Sequence, residues 1–484
     1  MRLTACGEAK ARIKTLIKSK AETLLMRGPE SIEHFFSPQT VAVIGASDHK
    51  GSIGHTIFEN MKKAQIKALF PVNPKHATIQ GIRAYPTVRE TSGQIDLAVI
   101  VVPSHAVPST LEECMQHKVK AVIIVSAGFS ETGERDNTRK ISELIGKYPS
   151  TRVMGPNCVG VLNSHNKVDT TFFERSRMKE PKKGTLSFIS QSGALGSMIL
   201  DWIATQQFGI NKFASYGNAM DVDESDLLEY FGRDKNTKVI AMYLEGAKEG
   251  RKFYETAKKI SRKKPIIVLK GGRHDETSMA TASHTGSMAG ASKVYDAAFK
   301  QAGIIEADDI LDLFSIAKML EREPLPKGNR VQIITNGGGF GIVTADQMLM
   351  NGLALAKISH QTAARLYKQM PTATISNPMD LIGDADVERY LNAIKAAHND
   401  QNVDIIVVLV LFNLPSLELG KLMGLAKPHG KITKPIMVIA IGSEFTQKYL
   451  EKMEHEGFTT FNYPSIVAKA LKEVVAYSEY LKKN

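Results

Sequence analysis

The stretch Val41 to Ser47, VAVIGAS, decides the fold. An apolar run of strand length, rich in β-branched side chains and stopping on a glycine, describes a strand buried on both faces. The same kind of run returns as ALFPVNP (68–74), LAVIVVP (97–103), AVIIVSAG (121–128) and RVMGPNC (152–158), at spacings that suit helical crossovers. It restarts with GTLSFISQSG (184–193), KFASYGN (212–218), VIAMYLEG (239–246) and PIIVLKGG (265–272). A third set follows: VQIITNGGG (331–339), IIVVLVLF (405–412) and PIMVIAIG (435–442). The proline-rich, charged stretch EREPLPKGNR (321–330) precedes it as a linker. The expected fold class is α/β, with three doubly wound domains at 31–155, 156–322 and 328–484 behind an N-terminal extension at 1–30.

Composition narrows the function. A chain of 484 residues exceeds what one hydrophobic core supports. No apolar run reaches the roughly 18 to 20 residues that span a bilayer, and the longest, DIIVVLVLF (404–412), has strand length. A soluble protein without a membrane partner is expected. Cys6, Cys114 and Cys158 carry no metal spacing, so neither a zinc site nor a disulfide framework is indicated, and the compartment reads as reducing and cytoplasmic. The net charge of +12 comes from scattered lysines without an RNA-binding signature, so an anionic small molecule or an acidic partner is expected rather than nucleic acid. The first thirty residues carry seven Lys or Arg in an amphipathic pattern, but Glu8, Glu22 and the scarcity of serine argue against a transit peptide.

In such sheets ligands bind beyond the carboxyl ends of the strands. The first loop, GASDHKGSIG (45–54), leads into a helix whose N–H groups suit a phosphate, yet GxGxxG is not matched. Strand two ends in VNPK, so Lys75 stands where an NAD site usually offers an acid; coenzyme A or NADP is favoured over NAD. SQSGALG (190–196) and TNGGGFG (335–341) both run from strand through turn to helix, and each exposes unpaired N–H groups at a helix start. His284 lies in the small-residue stretch TASHTGSMAGAS (281–292), which reads either as a loop histidine at a helix start or as an imidazole uncrowded enough to carry a phosphoryl group; Glu245, otherwise an ordinary strand-end glutamate, is the carboxylate expected to orient it.

These motifs, in this order and together with FPVNPKH (70–76), SAGFSE (126–131), GPNCVG (155–160), YLEG (243–246) and NPMDL (377–381), resemble the NDP-forming acyl-CoA synthetases, relatives of succinyl-CoA synthetase. The resemblance covers about residues 31–480, in the α-subunit arrangement of the ADP-forming acetyl-CoA synthetases. It implies a Rossmann-like CoA-binding domain followed by two flavodoxin-like domains. It implies CoA contacts at Gly45, Ala46, Ser47, Lys75, Pro103, Ser126, Gly128 and Asn157. His284 becomes the phosphorylated histidine, Glu245 its stabiliser, and Gln191, Ser192, Gly193, Gly337, Gly338 and Gly339 the phosphate cradles. No ATP-grasp module and no GxxxxGK[ST] loop is read in the chain, so ADP or ATP and Mg2+ are expected on a separate ATP-grasp β subunit, in a hetero-oligomer of the heterotetramer kind; no metal ligand is expected here. The substrates implied are acetyl-CoA or another acyl-CoA and phosphate. A non-catalytic CoA-binding regulatory or scaffold subunit is the rival reading. An NADP oxidoreductase leaves SHTGS and TNGGGFG unexplained.

Overall fold

Strands apolar on every residue need cover on both faces, which parallel sheets flanked by helices supply. The computed structural model describes residues 28–205, 209–274, 276–277, 292–417 and 433–483. The helix expected within 1–30 falls outside the described residues as far as position 27. The chain divides into two compact units, one of the described residues up to Ile266 with Lys270–Ala302, the other of Ile267–Leu269 with the residues from Gly303 onward.

The first unit opens with α1 (Pro29–Phe36). A sheet follows, built from β1 (Thr40–Ile44), α2 (Ile53–Met61), β2 (Ala68–Val72), a hairpin of β3 (Thr78–Ile79) and β4 (Ile82–Arg83), β5 (Leu97–Ile100), α3 (Val107–Gln116), β6 (Ala121–Ile124), α4 (Asp136–Lys147) and β7 (Arg152–Met154). Its five parallel strands lie in the order β2-β1-β5-β6-β7, which is doubly wound with its switch point between β1 and β5. Ile44 pairs with Val72 and Ile100, so three strands end level at one edge, where the winding leaves a crevice. Ala42, Ile100, Val122 and Ile124 meet Leu111, Met115, Ile141 and Ile145 of the helices in one buried cluster.

The same unit continues with β8 (Gly160–Asn163), β9 (Val168–Asp169), β10 (Lys183–Ser190), α5 (Gly193–Thr205), β11 (Ile210–Ser215), α6 (Glu224–Arg233), β12 (Val239–Leu244), α7 (Gly250–Ser261) and α8 (Ser292–Ala302); of β13 (Ile266–Lys270), which lies between α7 and α8, residues Ile267–Leu269 belong to the second unit. β11, β10 and β12 are parallel neighbours. β8 and β9, which apolar runs did not mark, extend this sheet: β8 pairs antiparallel with β11, and β9 pairs antiparallel with β8 because the turn at 164–167 is too short for a parallel return. Asp223 caps α6, its Oδ1 accepting from Ser225 N and Asp226 N at 2.9 Å each.

In the second unit, β14 (Ile305–Ala307) pairs in parallel with β13. α9 (Ile310–Arg322), β15 (Arg330–Thr335), α10 (Gly338–Met350), β16 (Ala354–Leu355), α11 (His360–Gln369), β17 (Met379–Asp380), α12 (Val387–Asn399), β18 (Ile405–Leu409), β19 (Ile436–Ile439), α13 (Glu444–His455), β20 (Thr459–Phe461) and α14 (Pro464–Lys483) follow. The strand order β16-β15-β18-β19-β20, all parallel, repeats the winding of the first sheet, with β17 alongside β15. Among the described residues no helix is long and apolar enough to cross a membrane.

Candidate functional site

Beyond the switch point lies a cleft of about 720 Å³. The turns after β5 and β6 supply Pro103, Ser104 and Ser126, the passage from β7 to β8 supplies Asn157 to Val159, the start of α5 supplies Gln191 to Ala194, and Glu245 closes the far side. The two sheets of the first unit thus present their strand ends to one space. Its size suits a drug-sized organic ligand.

Close backbone approach holds the walls. A Cβ on Gly217 (φ +58) would stand 2.3 Å from the carbonyl oxygens of Pro156 and Asn157, so the passage at 155–158 packs directly on the turn after β11. Asn157 N donates to Ser126 O at 2.9 Å, and Ser126 Oγ to Val102 O at 2.5 Å. Glu131 gathers Gly128 N at 2.6 Å, Phe129 N at 3.1 Å and Asn218 Nδ2 at 2.6 Å. Burial pushes its carboxyl up, but Asn218 and the backbone donors outweigh this and hold it below the usual range. Cys158, in the cleft wall, has its thiol pushed up to about 12 by burial, so it is no nucleophile near neutrality.

At the start of α5, Ser190 Oγ donates to Ser192 O at 2.6 Å and Ser192 Oγ accepts from Leu195 N at 3.3 Å. A Cβ on Gly193 would stand 2.9 Å from Val159 Cγ2, so glycine keeps this helix start open to the cleft. Gln191 Oε1 accepts from Glu245 N at 2.8 Å and Gly246 N at 3.2 Å, and Tyr243 OH donates to Glu245 Oε1 at 3.3 Å. A helix start and a carboxylate therefore face one cavity, an arrangement that holds an anion and can orient a cationic or protonated group beside it.

The description "CoA binding domain" matches residues 39–164, and "Succinyl-CoA ligase like flavodoxin domain" matches 183–320. Acetate–CoA ligase [ADP-forming] II subunit alpha of Pyrococcus furiosus is 40% identical over 451 residues, which span 92% of this chain and 97% of that one. The chain belongs to this α-subunit family. Acetate–CoA ligase [ADP-forming] of Methanocaldococcus jannaschii is 44% identical over 358 residues, 74% of this chain but 50% of that protein. Acetyl-coenzyme A synthetase 1 of Candidatus Korarchaeum cryptofilum, solved in complex with phosphate and ADP, is 32% identical; it superposes with a TM-score of 0.85 over 93% of this chain and 97% of that one.

Set against the family's expected site, the cleft wall holds Pro103, Ser126, Asn157, Gln191, Ser192, Gly193 and Glu245. Gly45, Ala46, Ser47, Lys75 and Gly128 are not in that wall. Gly45 (φ +96) instead lies against Val101, where a Cβ would meet the carbonyl oxygen at 2.9 Å, and Ala46 O accepts from Asn73 Nδ2 at 2.9 Å. Ser47 Oγ accepts from His49 N at 3.0 Å, and Lys75 is exposed with its backbone N donating to Asn73 Oδ1 at 2.9 Å. Gly128 (φ +99) packs on Ser104. His284 lies outside the described residues. Gly337, Gly338 and Gly339 stand at the start of α10 in the second unit, where Gly337 N donates to Thr335 Oγ1 at 3.0 Å and a Cβ on Gly338 would stand 2.6 Å from Asp380 Oδ2. Sequence reasoning missed Phe172 and Phe173 of the cleft wall, although an aromatic doublet in the polar stretch DTTFFERS was a usable signal.

Proposed function

We propose that the chain is the α subunit of an ADP-forming acyl-CoA synthetase, with acetyl-CoA as the simplest substrate, converting acyl-CoA, phosphate and ADP to the acid, CoA and ATP. One observation carries this reading: residues of the CoA-binding match, Pro103, Ser126 and Asn157, share a single cleft with the α5 helix start and Glu245. A phosphate oxygen attacks the thioester carbonyl, the C–S bond breaks, and CoA leaves as the thiolate, giving an acyl phosphate. The His284 ring nitrogen then attacks phosphorus and the carboxylate leaves, so one difficult transfer becomes two easier ones. The α5 N–H groups at Gln191 to Gly193 hold the phosphate, and Glu245 balances the charge of the phosphohistidine. Gly337 to Gly339 act as a second phosphate cradle. ADP attacks the phosphohistidine on an ATP-grasp β subunit that also holds Mg2+, within a cytoplasmic heterotetramer. The domains that carry these steps are 31–155, 156–322 and 328–484, behind an N-terminal extension at 1–30.

The test supplies the full chain with acetyl-CoA and labelled phosphate, without nucleotide. Acid-labile, base-stable label is expected on His284 and is absent from His284→Ala. Label that survives acid, or equal labelling of His284→Ala, overturns the phosphohistidine; no label on the wild type overturns the catalytic reading in favour of a CoA-binding regulatory subunit.

A further inference from the structure

Four consecutive backbone amides after β12 are each held by a side chain. Gln191 Oε1 takes Glu245 N and Gly246 N, Tyr295 OH accepts from Ala247 N at 2.9 Å, and Glu224 Oε1 accepts from Lys248 N at 2.8 Å. The three acceptors come from separate elements: the turn before α5, the helix α8 and the first residue of α6. The carbonyl of Glu245 is held as well, by Lys270 Nζ at 2.7 Å, and that ammonium lies 4.8 Å from the centroid of the Tyr295 ring. Both peptide groups flanking the Glu245 side chain are thereby fixed.

A strand-end turn at a protein surface ordinarily leaves such amides to water. Here Glu224 is fully buried to make one bond, a placement that carries a large desolvation penalty for a carboxyl group. Bonded amides also cannot form a nest that draws the anion away from the start of α5. The side-chain direction of Glu245 is therefore set by groups distant in sequence, which is the form that preorganisation of a charged catalytic group takes.

We propose that Glu224 and Tyr295, together with Gln191 and Lys270, are positioning residues that lock the turn Glu245–Lys248 and so fix the Glu245 carboxylate in the cleft beside the start of α5, where it serves the phosphorylation of the histidine. This rests on the function proposed above. In that scheme they touch neither CoA nor phosphate through their locking atoms, and they act through Glu245.

The experiment compares the full-length wild type with Tyr295→Phe, Glu224→Ala and Glu224→Gln. The rate of acid-labile labelling from acetyl-CoA and phosphate is measured over a range of acetyl-CoA, and amide exchange is followed through the peptide containing 245–248. Tyr295→Phe and Glu224→Ala are each expected to lower the maximal labelling rate about tenfold, the scale of one lost positioning hydrogen bond, with KM for acetyl-CoA within about twofold. Exchange in 245–248 should rise by about the same factor. Glu224→Gln keeps an acceptor oxygen for Lys248 N and should recover most of the rate. Unchanged labelling and exchange in Tyr295→Phe overturn the proposal, as does a rate loss matched by an equal rise in KM or a Glu224→Gln no better than Glu224→Ala. Should Glu224→Ala fail to fold, Tyr295→Phe decides alone. A wild type that takes no label defeats the proposed function, while the exchange measurement still reads the lock.

Discussion

The two glycine-rich helix starts are built alike and equipped differently. In the first unit Ser190 Oγ donates to Ser192 O at 2.6 Å, and in the second Thr335 Oγ1 donates to Gly337 O at 3.1 Å. The next residue in each case reaches to the turn after a neighbouring parallel strand: Gln191 Oε1 takes Glu245 N beyond β12, and Asn336 Oδ1 takes Leu411 N at 3.0 Å beyond β18. The backbone device is thus duplicated, but where one copy presents a carboxylate the other presents a leucine. The second copy has its own acid elsewhere, Asp380, against Gly338 and with its Oδ1 accepting from Ile382 N at 2.9 Å. A carboxylate at a helix start complements the dipole and takes the room an incoming anion needs. On the proposed function, the helix start would supply anion affinity and the residue held on the adjoining turn would decide what is done with the anion.

That contrast can be broken in three ways. The largest effect is expected from Glu245→Gln, which should slow histidine labelling about a hundredfold, as loss of a preorganised electrostatic group does. A loss below about threefold, measured at saturating acetyl-CoA and phosphate, would make the two turns equivalent after all.

The next effect is on stability. Burial, followed by the neighbouring Asp223, pushes the Glu224 carboxyl up to about 7. Tyr216, Tyr295 and Lys252 are the other titratable groups that share charge interactions with it. A folded value raised above the unfolded one means the neutral form favours folding: the contribution is complete below the unfolded carboxyl range and is lost as pH rises through about 7. Wild-type Tm should therefore fall between about pH 5 and about pH 8, and Glu224→Gln should flatten that fall by several degrees. An unaltered slope by calorimetry would remove Glu224 as its source. The smallest effect belongs to Asp380→Asn: taking a negative charge from the second helix start should tighten phosphate binding severalfold, about 1 kcal/mol, by isothermal titration. Weaker binding would mean that Asp380 serves the ligand rather than excluding it.

Much of this was legible beforehand because strand runs and glycine turns are local. VAVIGAS, SQSGALG and TNGGGFG carry their own geometry, and Glu245 could be placed because it ends an unmistakable strand. The short strands β8 and β9 were missed because their pattern is only a few residues long and their pairing is set by a hairpin turn. The locking residues were illegible for a different reason: Tyr295 is 48 positions from Ala247 and Glu224 is 24 from Lys248, and a side chain bonded to distant backbone leaves no periodicity. Lys75 stands apart from these: it is exposed outside the cleft wall, and its place in the site rests on its position in the sequence alone.

Arg152, at the head of β7, is 2% exposed and reaches Asp221 at 2.9 Å, Asp226 at 2.6 Å and Ser31 Oγ at 3.0 Å. Tyr230 OH adds a bond to Glu33 at 2.6 Å, and Asn60 Nδ2 one to Thr171 O at 2.9 Å. Guanidinium and acids lie on opposite sides of position 155, so a fragment cut there would strand a buried positive charge in one piece and its counter-ions in the other, a separation that costs several kcal/mol on the order of a broken buried ion pair. A fragment ending at 155 should therefore be less stable than the same sheet in the full chain, and extending it through α6 to restore Asp221 and Asp226 should recover the difference by calorimetry.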